Sequence, residues 1–508
     1  MKIEKSKNAS RNIIFGVLLK VYQILVPFLM RTIMMYAIGV QYLGLNSLFT
    51  SILQVLNLAE LGVGSAMVFS MYKPIACNDE TTICALMKLY RLYYRVIGGV
   101  ILVVGMLLVP FLPRLIAEDV PANINIYYLY ILNLLATVLT YWLFAYRNSI
   151  LQAYQRQDLV SKVTLCTDTV KYLLQIMALV IFKNYYYYVV FVLITQILNN
   201  VATAIISRKA FPQYRPTGAL PKQMIREING RIRDLFTSKL GYTIVSSADT
   251  IVISAFLGLT ILAKYQNYYF ILSSIIGFVA IVYSSITAGV GNSMLTKSLE
   301  QNYKEFEVFT LLVSWVSGIC ISCFLALYQP FMMLWMGKDM LLDFSMVIMF
   351  CIYFWVYEIV MMISVYKDAG GIWHEDRYRP LISGIVNLIL NVIFVKFIGL
   401  YGVVLSTILS VLFISAPWVI KNVFKLIFKS SPKKYVLKLC WNTLWIFISA
   451  SVSFFASLVI KDGGFVTIIG KGIIAFSVFN LIFVTVIKRD ENYDKALTML
   501  LKVARIKK

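Results

Sequence analysis

The sequence predicts an all-α polytopic membrane protein, with about fourteen transmembrane helices in two pseudo-symmetric six-helix lobes plus two C-terminal helices. Three observations carry this expectation. The 508 residues are 60% hydrophobic and 14% charged, well below the ~25% charge of soluble domains. Apolar runs of about 20 residues, the length that crosses hydrocarbon, follow one another with few long loops. The two halves of the chain also resemble each other on either side of a basic linker.

In order, the predicted spans lie near 12–40, 44–72, 88–117, 124–147, 163–183 and 186–207. The next six lie near 236–258, 265–292, 307–329, 341–366, 380–398 and 401–420, and a last pair near 439–460 and 464–487. The first residues, MKIEKSKNASRN, look like a signal-peptide leader. The apolar run after them is too long for one and holds Lys20, Pro27 and Arg31, so it reads as an uncleaved first span.

A net charge of +23 could suggest nucleic acid, but on a membrane protein basic residues report topology. With the N terminus inside, 37 of the 47 Lys and Arg fall in cytoplasmic segments and seven in outer loops, while Lys20, Arg31 and Lys171 lie within spans. An even number of spans places both termini in the cytoplasm, so nucleic acid is not an expected partner. Of the seven cysteines, Cys77 and Cys84 fall in a cytoplasmic loop and the others in or beside spans, which is no disulfide framework. Cys320 and Cys323 form a CxxC inside a span, where packing is the expected role.

Four regions follow: an N-lobe over 1–207, a cytoplasmic linker over 208–235, a C-lobe over 236–425, and spans 13 and 14 with a basic tail over 426–508. The loop from Arg208 to Lys239 holds eight basic residues and three prolines. Its REINGRIRDLF stretch could lie on anionic headgroups as a short amphipathic helix, or be a plain positive-inside loop. YAIGVQYLGLNSLF in the first half pairs with AFLGLTILAKYQNYYF in the second, setting Gly39 against Gly258 at an offset of 219. FKNYYYYVVFVLITQ pairs with FIGLYGVVLSTILSV, setting Val189 against Val403 at an offset of 214. Two nearly equal offsets point to duplication. The tail from Lys488 reads as a basic amphipathic helix.

Polar residues inside apolar runs mark the candidate site, because a charge near the bilayer centre costs about 2.5 to 3.5 kcal/mol on insertion scales. Lys20 and Arg31 are eleven residues apart, within about 20° of three helical turns, so they share a face with Pro27 nearby. Lining a cavity and snorkelling to the interface are both open to them. The second span carries Asn46, Thr50, Gln54 and Asn57 at helical spacing, with Glu60 at the stripe's edge and the small-residue run LGVGSA after it. In the fifth span Asp168 and Lys171 can pair within the helix or meet substrate. The sixth adds Gln196, Asn199, Asn200 and Thr203. In the second half Asp249 sits among Thr243, Ser246 and Thr250, Glu358 lies beside Tyr357, and Ser383, Asn387 and Asn391 follow at steps of four. The candidate substrate-binding residues are therefore Arg31, Lys20, Asn57, Lys171 and Asn199, and the candidate coupling residues are Glu60, Asp249 and Glu358. Most of the 33 tyrosines are expected in interfacial belts, and a minority facing a cavity could stack on sugars.

Catalytic signatures are missing. The one histidine, His374, sits in the loop WHEDRYR, so neither a His cluster nor a metal set of ordinary spacing is present. There is no Walker-type loop. The expectation is no enzyme, no metal and no cofactor, with energy drawn from a proton or sodium gradient or from the membrane potential.

The segment RTIMMYAIGVQYLGLNSLFTSILQVLNLAELGVGSAMVFSMYKPIACND, with YRLYYRVIG after it, resembles the amino-terminal region of bacterial polysaccharide flippases. These are the Wzx-type O-antigen or capsule transporters of the multidrug/oligosaccharidyl-lipid/polysaccharide exporter superfamily. SADTIVISAFLGLTILAKYQNYYFIL looks like the start of that family's second lobe, and NLILNVIFVKFIGLYGVVLSTILS resembles its eleventh and twelfth spans. The likeness covers the chain to about residue 425. It implies two six-helix lobes in a V that alternate access to a central cationic cavity, in a bacterial cytoplasmic membrane. The implied cargo is an undecaprenyl-pyrophosphate-linked glycan, with the lipid bilayer, a polymerase and other polysaccharide-assembly proteins as partners. Glu60 stands at a frequently acidic position of the family. Ala263 and Lys264 stand where the second corner usually has glycine. A multidrug cation antiporter, a lipid II flippase and a membrane polysaccharide polymerase or ligase are the competing readings. An organic cation would favour an anionic cavity, and a polymerase or ligase would want a large outer loop, whereas the longest loop here is basic.

Overall fold

The computed structural model describes residues 5–60, 62–117, 120–461 and 463–505. Every regular element among them is helical, as the apolar runs require, because only a helix satisfies its backbone groups internally in lipid. The chain divides into two compact units, 1–263 and 264–508.

The first unit is built from α1 (Lys5–Ile38), α2 (Val40–Leu56), α3 (Val63–Ala76), α4 (Glu80–Leu108), α5 (Ile126–Trp142), α6 (Asn148–Ala153), α7 (Gln157–Val180), α8 (Tyr185–Ala210) and α9 (Lys222–Leu257). Here α1 and α8 both pack along α7, α5 packs between α4 and α8, and α9 lies on α2 and α3. Between α3 and α4 the Asp79 carboxylate caps the new helix: it accepts from the Thr82 amide at 3.0 Å and from the Thr81 and Thr82 hydroxyls. These bonds hold Asp79 below the usual carboxylate value, at about 2.

The second unit takes up α10 (Leu259–Thr296), which begins just before the boundary, and continues with α11 (Leu299–Met336), α12 (Phe344–Ala369), α13 (Arg379–Ile398), α14 (Leu400–Ser410), α15 (Ala416–Val423), α16 (Lys433–Ser457), α17 (Gly464–Ile487) and α18 (Tyr493–Arg505). π-helical turns over Val411–Ser415 and Phe424–Phe428 flank α15. The spacing of four between Ser383, Asn387 and Asn391 becomes a polar seam between α13 and α14. Asn387 donates to the Thr407 hydroxyl at 2.8 Å, Ser406 donates to Asn391, and Ser415 donates to Ser383 at 3.0 Å. The last two membrane helices dock on α11, where Trp315 donates to Asn480 at 2.8 Å and Ser322 to the Ala475 carbonyl at 3.1 Å. Cys320 and Cys323 sit half-buried on α11 as free thiols. The tail supplies α18, which packs on α11.

Among the described residues, eleven helices are long and apolar enough to cross a membrane. They become twelve when the bent pair Ile126–Trp142 and Ala145–Ala153, which meet at 47°, counts as one span. The expected count was about fourteen, and the difference has two physical sources. The run near 44–72 is divided by a 3-10 turn over Asn57–Glu60, so neither α2 nor α3 reaches the length of a span alone. The run near 236–258 is the distal part of α9, whose apolar portion, Thr243–Leu257, is short.

The linker is more ordered than a loop. α8 continues to Ala210 and α9 begins at Lys222, so REINGRIRDLF is the start of a 36-residue helix and the irregular part is confined to 211–221. α9 packs on α2 and α3 and so belongs to the first compact unit, which runs to Ala263. Ala263 and Lys264 are interior to α10; the turn itself is made at Gly258.

Candidate functional site

The break between α2 and α3 builds a polar cavity in the first unit. Glu60 closes the short turn that ends α2, and Gly62, with φ 90°, redirects the chain into α3. A β-carbon at Gly62 would stand 2.6 Å from Leu235 Cβ on α9, and one at Gly64 3.0 Å from the Tyr90 hydroxyl. The small residues of LGVGSA thus admit both α9 and the tyrosines of α4.

The Glu60 carboxylate accepts from the Tyr94 hydroxyl at 3.0 Å, and Tyr94 in turn accepts from Tyr90 at 2.5 Å. Tyr141 of α5 donates to the Asn57 side-chain oxygen at 3.1 Å and packs edge-on to Tyr94, with centroids 5.3 Å apart. The α5–α8 wall is joined by Asn200, which donates to the Thr140 carbonyl at 2.7 Å, and by Thr140, which reaches Gln196 at 3.3 Å. The space so enclosed is a cavity of about 440 Å³ whose lining includes Glu60, Tyr94, Tyr141, Gln152, Asn199 and Thr203. Carboxylate, amide, hydroxyl and aromatic faces converge there, a chemistry that can bond polyols and stack on sugar or aromatic rings.

Of the sequence-predicted residues, Glu60 and Asn199 line this cavity, and Asn57 supports its Tyr141 wall. The predicted cations do not line it. Lys20 is exposed on α1. Lys171 pairs with Asp168 at 2.6 Å and lies 4.3 Å from the centroid of the Tyr172 ring, the within-helix pairing that their spacing allows. Arg31 is half-buried on α1, and its guanidinium lies within electrostatic reach of the Tyr188 hydroxyl on α8. Tyr188 also stacks on Tyr185, which donates to Asn46 at 3.3 Å. Arg31 therefore heads a second polar cluster in the same unit, built from α1, α2 and α8.

Asp249 is buried on α9 with Ser247, Thr250 and Ser254, outside the cavity lining. Glu358 belongs to the second unit. It is fully buried on α12 and accepts from the Tyr283 hydroxyl at 2.5 Å, and its other oxygen has no hydrogen-bond partner among the described residues. Sequence reasoning missed Tyr90, Tyr94, Tyr141 and Tyr283. Two of them carried a signal: Tyr90 and Tyr94 stand four apart on one helix face, in the YRLYYR stretch.

No protein-family model and no curated protein sequence matches the chain. Solved structures do resemble it. A lipid II flippase MurJ in an inward closed conformation superposes with a TM-score of 0.65 at 17% identity, covering 94% of this chain and 99% of that one. An inward-facing multidrug resistance MATE transporter of the MOP superfamily gives 0.60 at 14% identity, covering 80% and 96%. An outward-facing MATE transporter of that superfamily gives 0.53 at 15% identity, covering 84% and 97%. At these identities the likeness is one of fold: the chain is a multi-pass, all-helical membrane protein with the fold these transporters share.

Proposed function

We propose that this chain is a flippase that moves undecaprenyl-pyrophosphate-linked oligosaccharide repeat units across the bacterial cytoplasmic membrane, by alternating access, for O-antigen or capsule synthesis. The observation that carries the reading is the first unit's pairing of a sugar-compatible cavity with a separate polar cluster headed by the single cation Arg31. A pyrophosphate crossing a low-dielectric region needs compensating charge, and the planar guanidinium can engage its oxygens bidentately. Lys20 would hold the headgroup at the interface, Asn57, Asn199 and Lys171 would meet the glycan, and Glu60, Asp249 and Glu358 would couple transport to a proton or sodium gradient. Both termini and the 211–221 loop would face the cytoplasm, and a polymerase and other assembly proteins would take the flipped product.

A specific observation favours a second reading. Among the described residues of the cavity lining Glu60 is the only charged one, which suits an organic cation and so a multidrug antiporter. The MurJ likeness, which spans more of this chain than the MATE ones, keeps lipid II as an alternative cargo. One assay separates the three: purified protein in vesicles, offered a lipid-linked oligosaccharide, lipid II or a fluorescent organic cation. The proposal expects flipping of the first, nearly abolished in Arg31→Ala and partly kept in Arg31→Lys. Wild-type flipping by Arg31→Ala would remove the pyrophosphate assignment, and cation efflux without lipid flipping would replace the function.

A further inference from the structure

The second unit carries an open groove of about 1300 Å³ that no step of the proposed transport uses. Its walls are Ile352 and Val356 of α12, Ile420 of α15, and Leu439, Leu444 and Phe447 of α16, all apolar. Trp355 bridges two of these helices by donating to the Thr443 hydroxyl at 2.9 Å. One end differs: Lys421, Lys425 and Lys429 line it together with Ser430 and Ser431. The three lysines are exposed, and none forms an ion pair among the described residues.

The dimensions select the occupant. Along α16 the lining runs from Pro432 to Phe447, a rise of about 22 Å at ~1.5 Å per residue. That exceeds one leaflet, about half of the ~30 Å hydrocarbon thickness. A trough this long with a cluster of compact point charges at its mouth complements an amphiphile with an anionic phosphate head and an extended chain. Basic pockets between transmembrane helices on the cytoplasmic side take acidic lipid heads in this way. A zwitterionic lipid would bring its own ammonium against three lysines.

We propose that the groove binds an anionic glycerophospholipid of the cytoplasmic leaflet, its phosphate at Lys421, Lys425 and Lys429 and one acyl chain along α16 toward Phe447. The assignment rests on the cytoplasmic placement of the segment after α15, and not on the identity of the cargo. Cys440 lies in the lining and is exposed, so it reports occupancy directly.

The test uses full-length protein in detergent with Cys77, Cys84, Cys166, Cys320 and Cys323 replaced by serine, which leaves only the buried Cys351 beside Cys440. Phosphatidylglycerol or phosphatidylethanolamine is titrated while Cys440 alkylation is timed and bound lipid is counted by native mass spectrometry. Phosphatidylglycerol should slow alkylation more than tenfold and phosphatidylethanolamine should not. Combined Lys421→Gln, Lys425→Gln and Lys429→Gln should weaken phosphatidylglycerol binding on the order of a hundredfold, at about fivefold per basic residue. Lys433→Gln with Lys434→Gln, which removes charge outside the lining, should leave it unchanged and so controls for folding. Val436→Trp should block the chain and abolish protection with the lysines in place. Equal protection by the two lipids, full affinity in the triple variant, or displacement of phosphatidylglycerol by equimolar undecaprenyl phosphate would overturn the proposal, the last by giving the groove to the cargo.

Discussion

Gly39 and Gly258 form the same backbone corner. Gly39 joins α1 to α2 with φ 114° and ψ 167°, Gly258 joins α9 to α10 with φ 91° and ψ 173°, and each amide donates to the carbonyl five residues back, Met34 at 3.3 Å and Ile253 at 3.1 Å. These dihedrals belong to a region that is essentially closed to residues with a β-carbon. Two equivalent corners at equivalent places in the halves are local geometry that a shared ancestry of the halves explains.

The corner sets the first prediction. A β-carbon at Gly39 would come no nearer than 4.0 Å to Tyr42, so Gly39→Ala should cost backbone strain alone, on the order of 1–3 kcal/mol. Thermal unfolding in detergent checks this, and Gly258→Ala should show a loss of similar size. An unchanged midpoint for Gly39→Ala would mean that the corner relaxes freely.

A second prediction concerns the tyrosine frame. Tyr94→Phe removes one hydrogen bond to Glu60 and the acceptor for Tyr90, which should cost roughly 1–3 kcal/mol of stability. Tyr128→Phe, at a largely exposed ring, should be neutral. Equal midpoints for the two variants would contradict the bonded frame.

Glu60→Gln and Asp249→Asn keep the shape of each side chain and remove its charge. Both should insert and purify normally and should impair transport in vesicles. Full transport in both would end their assignment as coupling residues, and loss of folded protein would recast them as structural.

The Asp79 cap predicts a pH dependence. Its folded value is depressed from 3.8 to about 2, so the carboxylate's contribution is fully present above about pH 4 and is lost as pH falls toward 2. The unfolding midpoints of wild type and Asp79→Ala should therefore differ by a constant amount from pH 5 upward and converge between pH 4 and 2. A difference that grows on acidification would reverse the sign.

Topology is tested at Gln213, an exposed position of the 211–221 segment. In a background lacking the native cysteines, Gln213→Cys should resist an impermeant thiol reagent in intact cells and react after permeabilisation. Labelling in intact cells would invert every sidedness assignment.

Hydropathy and small-residue spacing made the helices legible, as did the corner glycines, because each reflects a local cost: an unpaired amide in lipid or a β-carbon at positive φ. The division of the second span was harder to read. Asn57 and Glu60 looked like a stripe along one helix, whereas the chain breaks there and uses them to hold tyrosines from α4 and α5. Such partners come from other helices, and spacing within one helix says nothing about them. The lysines illustrate the same limit. Lys171 could be assigned to Asp168 from a separation of three residues, but the grouping of Lys421, Lys425 and Lys429 at the end of a trough depends on α12 and α16.

The continuity of α9 has a mechanical consequence. At 36 residues and ~1.5 Å per residue it is about 54 Å long, well beyond the ~30 Å of hydrocarbon, so part of it must project past the lipid. That projecting end carries Lys222, Arg226, Arg231 and Arg233, while the far end stops at the Gly258 corner. A continuous helix of this kind acts as a lever arm. A tug or a bound anion on its basic handle would reach Gly258 only through Gly230 and Gly241, the two glycines inside the helix, which are where it would bend first.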